Sequence, residues 1–226
     1  MTATASRNAA PARPDPGAPE PSRDLAGLDD VALLALLLRR SGTDPEAAAR
    51  TLLDRFGSLG AVAAADAAEL ARTAEADPRA WADLKVLREL AERLARADAS
   101  RRPVVTSWTA LEAYVRTAMA HRPREQFRVL YLDYRNTLIR DEMVAEGTVN
   151  HAPVYPREVV RRALELSASA MVLVHNHPSG DPTPSRADIE MTRKVVDAAR
   201  ALGLQVHDHI VVGCEGTASF RSLGLM

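Results

Sequence analysis

The chain has little of what would fix its shape or address from outside. It has one cysteine, Cys214, in 226 residues. No internal disulfide can form, so packing must hold the fold, and a single thiol fits a reducing cytoplasm. Cys214 lies in Gly213-Cys214-Glu215-Gly216 with no base or ligand motif around it, which reads as an inert thiol in a turn. Long apolar runs are also missing. The longest, Val31 to Leu38, has eight residues, against roughly twenty for a bilayer-spanning helix; no membrane partner is expected. Residues 1–24 lack the basic-then-apolar order of a signal peptide. Their Ala- and Pro-rich stretch Ala9–Glu20 reads as a disordered tail. Neither sign of charge is in excess: 29 Lys and Arg face 30 Asp and Glu, a net charge of −1. No global field therefore draws the chain to nucleic acid.

What is present is an ordinary globular composition, 46% hydrophobic and 26% charged, in a length that allows one or two domains. From Leu25 to about Ala97 helix punctuation is dense. Asp29-Asp30 open the run Val31–Leu38, and Arg39-Arg40 and Gly42 close it. Asp44-Pro45-Glu46 starts a second helix that ends at Phe56-Gly57. Asp66-Ala67-Ala68-Glu69 has the form of a capping box. Asp77-Pro78 starts a fourth helix, whose Trp81, Leu84, Leu87, Leu90 and Leu94 are expected on one face. The expected organisation is a small helical domain over 25–97, a polar linker over 98–103 and a second domain over 104–226.

The pattern changes after Pro103. A helix is expected from Thr109 to about Met119. Phe127–Asp133 and Thr137–Ala145 read as strands around the turn Tyr134-Arg135-Asn136, hence a hairpin. Pro156–Ser167 reads as a helix, and Ala170–Val174 as a strand with no polar face, hence buried. Arg186–Leu202 is a helix closed by Gly203, and Val206–Val212 and Thr217–Phe220 are further strands. The fold class is an α/β sandwich with a mixed sheet, preceded by the helical part.

The chemistry concentrates just after the buried strand, in His175-Asn176-His177, Ser185 and Asp188. Strand side chains alternate, so His175 and His177 project the same way. Pro178, Pro182 and Pro184 force an irregular loop. Ser185 is placed as the N-cap of the next helix, with Asp188 in its first turn. Two imidazoles and a carboxylate then converge as three metal ligands, leaving a fourth tetrahedral position for water. Each feature alone has a metal-free reading: Ser185 and Asp188 match a capping box, and strand-end histidines are often merely solvated. Together beside a core strand they would be poorly satisfied without a cation.

The spacing H-x-H-x7-S-x2-D resembles the JAMM signature of the MPN/JAB metalloprotease superfamily. His175-Asn-His-Pro-Ser-Gly-Asp-Pro-Thr-Pro-Ser185, with Tyr155-Pro-Arg-Glu-Val before it and Asp208-His-Ile-Val-Val-Gly213 after it, resembles the RadC family in particular. The resemblance runs from about Pro103 to the C-terminus. It implies a JAB-type fold, a zinc ion on His175, His177 and Asp188, and hydrolysis of a peptide or isopeptide bond in a protein or peptide substrate. It implies a catalytic glutamate ahead of the first core strand, a position that Glu125 matches best; Glu142, Glu146 and Glu158 are rivals. It gives Ser185 the role of oxyanion donor. His207-Asp208-His209 is a second H-x-H, read as support for the site rather than a second metal. His121 and His151 read as surface or loop residues.

The family name also carries a link to DNA repair, and Phe56-Gly57-Ser58-Leu59 through Arg93-Leu94 resembles the helix-hairpin-helix-like domain of RadC relatives. In those proteins a Gly-x-Gly hairpin offers backbone amides to phosphate. Here the equivalent hairpin is Glu75-Ala76-Asp77-Pro78-Arg79, with no glycine and two acids. DNA binding is therefore expected to be weak, and Arg88, Arg93, Arg96, Arg101 and Arg102 to form a solvated helix face.

Overall fold

The structure, a computed structural model, describes residues 25–39, 44–101, 103–147 and 154–226. The expected tail over 1–24, the helix-closing Arg40 and Gly42, Arg102 and His151 lie outside the described residues.

Five helices come first: α1 (Asp30–Leu38), α2 (Pro45–Phe56), α3 (Leu59–Ala64), α4 (Ala67–Thr73) and α5 (Pro78–Ser100). Each begins at a side-chain cap, provided by Asp29, Asp44, Ser58, Asp66 and Asp77 in turn. The short α3 carries too few residues to show a period and was not among the expected helices. At α4 the expected capping box is half made. Asp66 accepts from the Ala68 N–H, but Glu69 instead faces Arg55 at 3.4 Å. Leu34, Leu38, Leu52, Val62, Leu70 and Trp81 are buried together at the centre of this bundle.

The long helix α5 differs from expectation in two ways. Trp81 and Leu84 are buried, yet Leu87, Leu90 and Leu94 stay 45%, 50% and 72% exposed. The reason is angular: each step of three residues falls about 60° short of a full turn, so Leu90 points roughly opposite to Trp81. The helix also runs on to Ser100, through the first half of the expected linker. Ala99 is fully buried with Val104, Leu111 and Val115, so α5 is rooted in the core of the following part.

That part begins with a 3₁₀ turn at Val104–Thr106 and α6 (Trp108–Met119), then β1 (Glu125–Leu132), β2 (Leu138–Gly147), α7 (Pro156–Glu165), β3 (Ala170–Asn176), α8 (Arg186–Arg200), β4 (Gln205–Gly213) and β5 (Gly216–Ser219). The sheet order is β2-β1-β3-β4-β5. Only β3 and β4 run parallel, joined through α8; the other neighbours are antiparallel. The sheet is thus mixed, and helices cover both faces. Leu130, Val172, Val174 and Ile210 pack toward α6. Val129, Tyr131, Met171 and Leu173 pack toward α7 and α8. All seven residues of β3 are buried, as an apolar central strand requires. Among the described residues no helix is long and apolar enough to cross a membrane.

Candidate metal centre

The site forms where β3 leaves the sheet. Alternation along the strand turns His175 and His177 to the α7/α8 side, and Asn176 to the other. His175 is 1% exposed, and His177 sits half-buried at the loop mouth. The proline-rich loop then returns the chain to the N-terminus of α8. There Ser185 and Asp188 close a full capping box: Ser185 Oγ accepts from the Asp188 N–H, and Asp188 Oδ2 accepts from the Ser185 N–H at 2.7 Å and hydroxyl at 2.6 Å. The loop is held from below by the β4–β5 turn. A Cβ on Gly213 would fall 1.9 Å from the Gly180 carbonyl oxygen, so only glycine permits this approach. Cys214, exposed, lies against Gly180.

Three donor atoms converge. His175 Nε2 lies 3.0 Å from His177 Nε2 and 3.4 Å from Asp188 Oδ1, and His177 Nε2 lies 3.5 Å from Asp188 Oδ2. Ligands about 2.0–2.1 Å from a tetrahedral zinc sit roughly 3.3 Å from each other. The separation of the two imidazole nitrogens and the distance from each to its nearer Asp188 oxygen are on that scale, and the donor set, two imidazoles and a carboxylate, suits zinc. The residues therefore fit the metal. Among the described residues these three form a group able to hold an ion.

The protons are arranged to leave the Nε2 lone pairs free. His177 Nδ1 lies 2.9 Å from the Asp181 carbonyl, to which only an N–H can donate. His175 Nδ1 lies 2.8 Å from Nε2 of His209, and His209 Nδ1 lies 2.6 Å from Thr192 Oγ1, which lies 2.6 Å from the Asp188 carbonyl. With a cation on His175 Nε2, every direction in this chain follows. His175 donates to His209, His209 to Thr192, and Thr192 to Asp188, so each group is satisfied without an added charge. His209 is fully buried, and burial, then the neighbouring His175, hold its imidazole well below the usual range and hence neutral. Burial pushes the Asp188 carboxyl up, but the His175 and His177 imidazoles facing it and the Ser185 hydroxyl outweigh it and hold the carboxyl well below its ordinary value. His177 is raised, chiefly by Asp188, with a smaller contribution from Glu125.

Glu125 stands at the first position of β1, two residues ahead of Phe127, which pairs with His175. Its rivals are engaged elsewhere. Glu142 accepts two hydrogen bonds from Arg162, which hold its carboxyl below the ordinary value. Glu158 pairs with Arg157 and Arg161 on α7. Glu146 pairs with Gln126 in the β1–β2 register, next to Glu125 along the strand and hence on the opposite face, and lies 3.5 Å from Arg124.

The second H-x-H divides. His209 supports His175, while His207 falls in the bulge that shifts the β3–β4 register and lies 2.5 Å from Asn136 Oδ1. Asp208 is buried and accepts from the N–H groups of His209 and Arg221 and from the Ser219 hydroxyl. His121 lies in the turn between α6 and β1, as one of the two expected placements has it, and is half-buried there with its ring over Gly60 of α3. Thr192 was not expected at the site. The available signal was its place four residues after Asp188, one turn along the same helix face.

Comparison with known proteins agrees with this layout. Residues 105–225 match the family described as the RadC-like JAB domain. A UPF0758 protein of Rhodobacter capsulatus is 55% identical over 201 residues, covering 88% of this chain and 94% of the relative. A UPF0758 protein of Ruegeria pomeroyi is 52% identical over 203 residues, covering 89% and 91%. A chain with this sheet, this cluster of histidines and aspartate, and these relatives belongs to the RadC family of JAB-domain proteins.

Proposed function

We propose that the chain is a zinc-dependent hydrolase of the JAMM type, acting in the cytoplasm on a peptide or isopeptide bond. The observation that carries this reading is the convergence of His175 Nε2, His177 Nε2 and the Asp188 carboxylate, the two imidazole nitrogens lying 3.0 Å apart and 3.4 and 3.5 Å from Asp188 Oδ1 and Oδ2 respectively. Zinc held by His175, His177 and Asp188 would supply a Lewis acid and would lower the pKa of a bound water to near 7. The chain's own residues do the rest. Glu125 takes the proton of the attacking water and delivers it to the leaving amine. Ser185, whose hydroxyl is exposed and borrowed by Asp188 in the capping box, turns to donate to the oxyanion. The relay from His175 through His209 and Thr192 keeps the metal-binding imidazole in one tautomer throughout.

The second reading, a DNA-associated repair protein with a structural metal, meets an obstacle at the hairpin. Asp77 caps α5, accepting from the Arg79 N–H at 2.9 Å, so a carboxylate stands where phosphate would dock. The experiment is a panel of peptide and isopeptide substrates, with zinc content measured first, on wild type and Glu125→Gln. Zinc-dependent cleavage lost in Glu125→Gln supports the hydrolase. A zinc-loaded protein inert on every substrate, with tight duplex DNA binding, supports the second reading.

A further inference from the structure

Asn176 stands between the two metal-site histidines in sequence and points away from them in space. It is 0% exposed, and a buried amide with one acceptor and two donors must be satisfied. All its bonds go to one short segment. Oδ1 accepts from the Gln126 N–H at 2.9 Å, and Nδ2 donates to the carbonyls of Arg122 at 3.3 Å and Arg124 at 3.1 Å. The residue between Arg124 and Gln126 is Glu125.

The reason a side chain is needed there lies in the sheet. Pairing of β1 with β3 stops at Phe127 opposite His175. Beyond that point β3 stays with β4, through Asn176 opposite Val212 and the His177 N–H donating to the Val212 carbonyl. On the other side β1 keeps only β2, to Glu125 opposite Gly147. The stretch that carries Glu125 therefore has no backbone ladder toward the metal-site strand. The Asn176 amide replaces it with three hydrogen bonds that bracket Glu125 on both sides.

We propose that Asn176 is the positioning residue for Glu125: it fixes the Arg122–Gln126 segment to the strand that bears His175 and His177, and so sets the glutamate relative to the metal. This rests on the reading of Glu125 as the proton carrier. It also gives the His-Asn-His triplet one logic, since alternation sends two ligands to one face and the clamp to the other.

The test uses the full chain loaded with cobalt(II), whose visible absorption changes with pH, together with amide hydrogen exchange. Asn176→Ala and Glu125→Gln should both keep the metal stoichiometry of wild type. Both should move the pH midpoint of the cobalt spectrum in the same direction, by about one pH unit, the scale on which a nearby carboxylate acts. Adding Asn176→Ala to Glu125→Gln should move it no further, because Asn176 acts through that residue alone. Exchange at residues 124–126 should rise about tenfold in Asn176→Ala, the scale of a lost hydrogen bond. Should Asn176→Ala not fold, Asn176→Ser, which keeps a small polar group, carries the same expectations. The proposal is overturned if exchange at 124–126 stays at the wild-type rate, if Asn176→Ala leaves in place a midpoint that Glu125→Gln moves, or if its shift persists undiminished in the Glu125→Gln background. A silent Glu125→Gln with raised exchange in Asn176→Ala would instead overturn the proton-carrier reading and leave the clamp standing.

Discussion

Two helix N-termini in this chain begin alike and end differently. At α5, Asp77 caps the helix and Pro78 occupies its first turn. At α8, Ser185 caps the helix and Asp188 stands in its first turn. In local sequence both are an acid at a helix start, a stabilising arrangement that needs no ligand. What separates them is the surroundings. The Asp77 carboxylate turns inward to its own helix. Asp188 shares one oxygen with the cap, while its carboxylate faces His175 and His177 across 3.4 and 3.5 Å. A carboxylate becomes part of a site only when the rest of the fold brings donors to it. Here a strand end, a proline-rich loop and a helix start do so together.

The comparison predicts unequal consequences for changes at the two ends of the molecule. The largest concerns the group beside the α8 site. Once a substrate is found, Glu125→Gln should lower turnover by about two to four orders of magnitude with zinc content and melting temperature unchanged. Glu142→Gln, which loses a carboxylate held by Arg162, should leave turnover near wild type. The reverse outcome moves the acid–base role to Glu142.

A smaller effect is expected from the backbone that supports the loop. Gly213→Ala places a Cβ against the Gly180 carbonyl and should displace the histidine-bearing loop, weakening zinc binding. Gly216→Ala, where a Cβ meets nothing within 4 Å, should leave zinc affinity alone. Equal affinities, measured by competition with a chelator, would show that the loop is not held through this contact.

How much of this was legible in the sequence depends on the range of the interaction that decides it. The three ligands and the cap lie in one fourteen-residue stretch directly after a buried strand, and strand alternation plus capping chemistry are enough to bring them together on paper. The sheet's strands were legible for the same reason, with ends displaced by a residue or two. Asn176 was not, because its partners lie on Arg122–Gln126 and no local period reports such contacts; for Thr192 only its place one turn after Asp188 was legible, not its contact with His209. The face of α5 was misread for a different reason. Leucines at steps of three look like a stripe in the sequence, but they wind around a helix of 3.6 residues per turn. The helix's own role as a bridge, through Ala99, was hidden by the polar residues on either side of it.

The smallest predicted effects lie at the caps. Asp77→Ala should cost about 1 kcal/mol of stability with no change in zinc. Ser185→Ala should cost a similar amount and, on the proposed oxyanion role of its hydroxyl, also lower turnover on the order of a hundredfold. Thermal melts and kinetics of the pair separate a cap from a cap that is also a catalytic group. Duplex DNA binding should be weak in wild type and fall steeply with salt. Sub-micromolar affinity at physiological salt, lost when residues 1–102 are removed, would show that the helical part binds DNA despite Asp77.

The central claim is that His175, His177 and Asp188 form one zinc site, and elemental analysis tests it most directly. Purified wild-type protein should carry about one zinc per chain, as a single three-ligand site requires. His175→Ala and Asp188→Ala should carry essentially none, while Asp77→Ala and Glu125→Gln stay at the wild-type level. Equal zinc in wild type and His175→Ala, or no zinc in wild type after growth and purification with the metal supplied, would contradict the account.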